Sequence, residues 1–163
     1  MKQVGTMTTM DEKNDTAKYI VQELHEPGII DDDFRAMYAR FAKRVLWIDG
    51  NEVPGAFQMN TAWYKKAQPR DPLFGEHTHD YDELIGFFGS DPEDPYNLHA
   101  VIELSLDGVA HRLERTSLIY IPGGMRHNPL RLLKVDRPVF HFSVVTNEEY
   151  SGETAYNAPT SSE

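Results

Sequence analysis

The chain of 163 residues contains no cysteine. Disulfides and thiolate metal sites are therefore excluded, and any metal must be held by imidazole and carboxylate. The lack of cysteine does not by itself assign a compartment. Cations are scarce, with 16 Lys and Arg against 26 Asp and Glu and a formal net charge of −10. Nucleic-acid recognition needs cations clustered on one face, so neither nucleic acid nor an anionic membrane surface is an expected partner. No apolar run approaches the roughly 20 residues that span a bilayer. Met1 to Met10 lacks the apolar centre of a secretory signal, which makes the cytoplasm the expected location.

What is present is enough for one domain with a real core. The informative stretch is His77-Thr78-His79-Asp80-Tyr81-Asp82-Glu83, answered downstream by Pro122-Gly123-Gly124-Met125-Arg126-His127. His77, His79 and Glu83 all carry odd numbers. Side chains alternate along a strand with period two, so an extended segment presents all three on one face. A lone His-x-His is common by chance. Followed four residues on by Glu, and later by a Pro-x-Gly-x-x-His turn, it points to a divalent metal site on a β scaffold.

The rest of the chain supplies that scaffold. Residues 1–15 are polar and Thr-rich, the composition of a frayed end. Asp15 to His25 reads as a helix, capped by Asp15, with Tyr19, Ile20, Val21 and Leu24 near helical spacing and Glu26-Pro27-Gly28 ending it. A second helix is expected from the Asp31-Asp32-Asp33 run, whose charges complement the helix dipole. Phe34, Met37, Tyr38 and Phe41 repeat at i, i+3, i+4 and i+7, and this aromatic stripe reads as core packing. From Arg44 the period changes. Val45 to Ile48, Ala56 to Tyr64, Leu84 to Phe88, Ala100 to Leu106, Val109 to Leu113, Ser117 to Ile121, Leu130 to Val135 and Pro138 to Thr146 read as strands. Asp107-Gly108 is a hairpin signal, and the Pro- and acid-rich segment 89–95 is a loop. In Ala100 to Leu106, Ile102, Leu104 and Leu106 are expected on one face and Val101, Glu103 and Ser105 on the other. The spacing predicts an all-β sandwich or barrel behind an N-terminal helical piece. The divisions are a helical extension over 1–43, a barrel over 44–146 and a polar tail over 147–163.

On these residues the sequence resembles the cupin superfamily, small jelly-roll barrels of the RmlC-like kind, over roughly Ala56 to Thr146. The resemblance implies a double-stranded β-helix. It implies His77, His79 and Glu83 as first-motif metal ligands and His127 as the second-motif ligand, with Pro122 and Gly124 forming its turn. Several flanking positions depart from the pattern. Asp71, Ser90 and Thr116 stand where glycine is usual, and Arg131 where asparagine is usual. These positions shape turns more than they bind metal.

Three imidazoles and one carboxylate suit one divalent transition ion per chain, with Fe or Mn favoured and Ni, Zn, Co or Cu as alternatives. Such a set leaves an octahedral ion two positions for substrate or dioxygen. The favoured function is dioxygenase-type oxidation of a small oxygenated organic acid or phenol. The alternatives are non-oxidative isomerisation or decarboxylation, or a cupin that binds metal or a small ligand without turnover. The resemblance also implies a homodimer.

Other residues carry weaker signals. His141, in an apolar strand, reads either as a satisfied core group or, if Val139, His141 and Ser143 face the barrel mouth, as an acid/base residue. Arg131 shares parity with His127 if Pro129 introduces no bulge. It would then anchor an anionic substrate by bidentate bonds, the plain alternative being a salt-bridged surface arginine. Arg126 has the opposite parity, and Tyr81 has ligand-face parity. Trp63 or Tyr64 is a candidate pocket wall. His25, His99 and His111 read as ordinary. No nucleophile elbow, phosphate loop or dinucleotide fingerprint is present.

Overall fold

The computed structural model describes residues 16–70 and 72–148. The expectations for the N-terminal 15 residues, and nearly all of the polar tail, lie outside the described residues. One α-helix, α1 (Asp32–Ala39), is followed by eight strands. They are β1 (Ala42–Ile48), β2 (Met59–Tyr64), β3 (Glu83–Gly89), β4 (Asn97–Leu106), β5 (Val109–Arg115), β6 (Ser117–Ile121), β7 (His127–Val135) and β8 (Val139–Val145). A five-stranded sheet has the order β1-β2-β8-β3-β6, and a three-stranded sheet the order β5-β4-β7. All pairings between these strands are antiparallel. The two sheets enclose one core in a jelly roll. No described helix is long and apolar enough to cross a membrane.

α1 begins where the acidic run predicts. Asp31 caps it by accepting from the Phe34 backbone N–H at 2.6 Å. Phe34 and Tyr38 are buried and stack on each other at 5.7 Å between ring centroids. They share a cluster with Phe87, Leu132 and Val145. The helix is thus continuous with the barrel core, and the aromatic stripe packs as expected.

The first helix expected is not there. Only a 3₁₀ turn forms, over Thr16–Tyr19, and the chain from Ile20 to Pro27 is irregular. Tyr19 and Ile20 are 60% and 66% exposed. An eleven-residue amphipathic segment is too short to hold a helix in water without a surface to bury its stripe. Instead the segment is tied down by polar contacts, His25 to Glu52 and Glu26 to Arg35 and Arg44.

Two register shifts between β4 and β7 change the parity of these strands. Between Val101 and Ile102 the pairing of β4 with β7 slips, and both residues are buried, so the strict alternation expected there fails. A second slip lies between Leu104 and Leu106, opposite Leu130 and His127. It turns Leu130 and Leu132 inward and Arg131 outward, where Arg131 bonds Glu103 at 3.1 Å. The hairpin at Asp107-Gly108 forms as read, with φ of 47° and 80°. The strand expected from Ala56 starts at Met59, because the turn before it closes through Ala56 N–H to Val53 O.

Candidate metal centre

The two histidine motifs meet through their backbones. His77 and His127 form an isolated antiparallel bridge, with N–H to O distances of 3.1 and 3.0 Å in the two directions. Two residues on, the Gly124 N–H donates to His79 O at 2.7 Å, and the Gly123 N–H donates to the Asp82 carboxylate at 2.9 Å. The Pro122–Met125 turn requires its glycines. Gly124 has φ of +84°, and a Cβ on Gly123 would stand 2.6 Å from Asp80 O. Of the first-motif residues only Glu83 lies within a regular strand. The segment before it is irregular, touching β7 through isolated bridges at Gln68, Phe74 and His77. The ligand face therefore does not arise from one extended strand, as parity suggested. It arises from pinning an irregular segment onto the second motif.

The result is a convergent set of ring nitrogens. One ligand atom from each of His77, His79 and His127 lies within 4.8 Å of the others, so these three could hold a metal ion. The Glu83 Oε2 atom stands 3.1 Å from His79 Nε2 and 3.3 Å from His127 Nε2. Donors sharing an ion about 2.1 Å away lie roughly 3 Å apart when adjacent around it, so the spacing fits. The protonation pattern fits as well. His77 Nδ1 faces Gly75 O at 2.9 Å, His79 Nδ1 faces Tyr81 O at 2.7 Å, and His127 Nδ1 faces Met125 O at 3.0 Å. A carbonyl only accepts, so each Nδ1 carries the proton and leaves Nε2 as the lone-pair atom of a neutral ring, which in His79 and His127 faces Glu83. His127 Nε2 is buried and faces Glu83 Oε2.

Lone pairs facing a carboxylate at 3 Å require a cation between them, either a proton or a metal. Burial raises the Glu83 carboxyl, but hydrogen bonds from His127 and His79 outweigh it and hold it at about 2. His79 is pulled down by burial, yet its bond and charge interaction with Glu83 leave it above the ordinary histidine value. Burial takes His77 below that value. Tyr81 stacks flat on His79, with centroids 4.2 Å apart and planes within 8°. It supports the ring from the side rather than facing the centre as a fifth donor.

A cavity of about 30 Å³ adjoins the set, lined by His77, Glu83, His141, Arg44, Asn60 and Ser143 among others. By volume it holds roughly two waters. A wider groove of about 350 Å³ between α1 and β1 is bordered by Glu26, Arg35 and Lys65 and carries none of the imidazoles. Chemistry assigns the site to the smaller space. His141 is buried between Tyr64 and Phe87, its ring 4.9 and 5.0 Å from theirs, and its Nδ1 donates to Gly86 O at 3.1 Å. Burial pushes it down to about 4, so it is neutral at physiological pH. Tyr64 thus backs His141, while Trp63 packs on Phe140 on the other face of the sheet.

No family model matches the chain, and no curated protein matches it in sequence. Solved structures do. An oxalate oxidase in complex with the substrate analogue glycolate is similar over 87% of this chain and 65% of its own, at 10% identity and a TM-score of 0.50. An RmlC-like cupin from Shewanella frigidimarina covers 66% of this chain and 77% of its own, at 11% identity and a TM-score of 0.41. KdgF from Halomonas sp. covers 68% and 79%, at 16% identity and a TM-score of 0.39. The chain has the cupin fold.

Within that cupin barrel the candidate residues separate. His77, His79, Glu83 and His127 come together, and His141 borders the same cavity. Arg131 does not. It is held by Glu103 on the outer face of the three-stranded sheet, because the register shift beside it reverses its parity. Arg126 points away toward Glu76 and Asp107. Thr116, in place of a motif glycine, donates from its hydroxyl to Pro95 O and accepts from the Gly89 N–H, so it ties β6 to the loop before β4. Ser143 lines the cavity beside His141, as expected if both face the barrel mouth. Sequence reading missed Arg44 and Asn60 as cavity walls, although parity carried a signal for Asn60, which shares a face with Ala62 and Tyr64.

Proposed function

We propose that this cupin is a metal-dependent enzyme acting on a small oxygenated organic molecule. His77, His79, Glu83 and His127 hold one divalent transition ion in it, iron or manganese by preference. The observation that supports this is the convergence of three imidazoles, each with Nδ1 on a backbone carbonyl, with Nε2 of His79 and of His127 facing Glu83. The ion would supply Lewis-acid and redox chemistry, and we favour dioxygenase-type oxidation. The chain's own part is to orient and enclose. Glu83 neutralises one charge of the ion. Phe74, Ile85 and Leu130 keep one side of the cavity apolar. His141, neutral and fixed by Gly86, offers a nitrogen base at the cavity wall without adding charge.

The test is elemental analysis of protein purified without added metal, beside a His77→Ala/His127→Ala variant. Near-stoichiometric iron or manganese in the wild type, lost in the variant, is the expected result. Zinc or nickel instead would move the chemistry to isomerisation or decarboxylation with the same ligands. No metal retained, and none taken up on reconstitution, would overturn the reading.

A homodimer is part of the proposal. The outer face of the five-stranded sheet carries the ring pairs Trp63–Phe140 and Phe88–Phe142, and beside them Leu118 and Tyr120 are 61% and 60% exposed. A contiguous apolar sheet face of this kind is the signature of a protein interface. Sedimentation is expected to give a dimer for the wild type and a monomer for Leu118→Lys. A monomeric wild type at micromolar concentration would remove the dimer from the proposal.

A further inference from the structure

We propose that Arg44, with Asn60 and Ser143, forms a carboxylate-binding end of the cavity, so that the ligand of this site is a small organic anion; this rests on the reading of the cavity as the enzyme's ligand site. Arg44 lies on β1 with its side chain 4% exposed, and it borders the cavity that His77, Glu83 and His141 line. Its Nη1 donates to Glu26 at 2.8 Å, and its guanidinium lies over the rings of Tyr38 and Trp47, at 5.0 and 5.4 Å. Its Nε, also buried, has no hydrogen-bond partner. A buried donor left unpaired is costly, and a charged one near an enclosed cavity is poised for an anion. Glu26 is shared, its other oxygen taking Arg35 at 2.8 Å, and Arg35 in turn donates to the exposed Asp32 at 2.9 Å. The two guanidiniums are thus matched by two carboxylates, and what stays open on Arg44 is its buried Nε. In the sheet register Arg44 pairs with Ala62 and Ala62 with His141, so the row from Arg44 to His141 contains only a methyl side chain between them. On the neighbouring row Asn60 Nδ2 donates to Ser143 Oγ at 2.7 Å, which leaves the serine hydroxyl proton free to donate. A guanidinium, an amide and a hydroxyl thus stand on one wall as donors, with the imidazole set at the other end. A carboxylate headed by Arg44 would direct the rest of the molecule toward that set.

The test is an NMR titration with acetate and its neutral isostere acetamide, on protein as purified and again after chelation. The wild type is expected to prefer acetate at least tenfold in both forms. Arg44→Lys keeps the charge but loses the planar fork, and Asn60→Asp adds a second negative charge to the same wall. Each is expected to weaken acetate roughly 10- to 100-fold and to reduce its preference over acetamide. If Arg44→Lys fails to fold, Asn60→Asp carries the comparison. Equal binding of both ligands by the wild type, a preference that both variants retain, or a preference present only before chelation would overturn the assignment. The last would put the carboxylate on the metal. Because the chelated arm needs no ion, absence of metal from the purified protein leaves this test standing and fails only the metalloenzyme reading.

Discussion

Glu83→Gln is expected to lower affinity for a divalent ion by more than ~100-fold while leaving the metal-free fold intact. Removing partners one shell further out commonly costs about 10- to 100-fold in metal affinity, and Glu83 is the sole anion facing the three imidazoles in the cluster described above. Glutamine keeps the shape and loses the charge. Its amide can donate to a neutral Nε2, so stripped protein replaces an imidazolium–carboxylate pair with a neutral hydrogen bond. That exchange avoids stranding a buried charge, which is what makes Glu→Ala changes at such pairs severe. The pH dependence has a definite sign. Glu83 is depressed to about 2, so what it gives the stripped fold is present above its ordinary value of 4.5 and is lost as pH falls toward 2. His79 is raised, so its share is present below 6.5 and is lost as pH rises through its raised value. The proton on His79 is what a metal must displace, and metal affinity therefore climbs with pH through that range. Zinc titration of wild type and Glu83→Gln at two pH values checks both points. Equal zinc affinity in the two proteins would remove Glu83 from the ligand set.

The candidate ligands were more legible in the chain than the way they come together. His77, His79, Glu83 and His127 could be named because a donor set is a statement about residue types, and Pro122-Gly123-Gly124 because a turn is local. The predicted reason for their convergence was a single extended strand. In the structure an irregular segment is held by the His77–His127 bridge and by Gly124 to His79, contacts between residues 45 to 50 positions apart. Arg131 shows the limit most plainly. Its parity is correct for an unbroken strand, and one register shift opposite Leu104 sends it outside. Bulges are set by how two strands pair, which neither strand records alone. Arg44 was passed over for a related reason. The strand expected there starts at Val45 and leaves Arg44 outside it, whereas β1 begins at Ala42 and places it on the inner face. Its partners Glu26, Tyr38 and Trp47 come from an irregular segment, from α1 and from β1 itself. The lost helix before Glu26 has the same origin. Helical spacing was present, but among the described residues Tyr19 and Ile20 of the stripe stay exposed.

Acid is expected to destabilise the protein by about 3 kcal/mol between pH 6.5 and pH 4 through His141 alone. The ring is fully enclosed between Tyr64 and Phe87, and its Nδ1 is committed to Gly86 O. Burial drives its affinity for a proton from 6.5 down to about 4, with the Gly86 bond and Glu83 opposing and Arg44 assisting. The unfolded chain therefore takes up a proton between those values that the folded protein refuses. Proton binding to the unfolded state draws the equilibrium toward it, so this share of stability is complete above 6.5 and falls away as pH drops to 4. At about 1.36 kcal/mol per pH unit, the fall corresponds to about 3 kcal/mol. His141→Asn keeps a donor for Gly86 and cannot titrate, so its stability is expected to change less over the same interval. The difference between the two proteins isolates the residue, since the other carboxylates and histidines are common to both. Glu83 acts only below 4.5 and His79 only above 6.5, which leaves the interval for His141 with a lesser contribution of the same sign from His77. Urea unfolding of chelated wild type and His141→Asn at pH 7 and pH 4.5 is the measurement. Parallel losses in the two proteins would mean that the folded state admits a proton at His141. The imidazole would then be open to solvent through the cavity, and its place as a fixed neutral base on the wall would have to be given up.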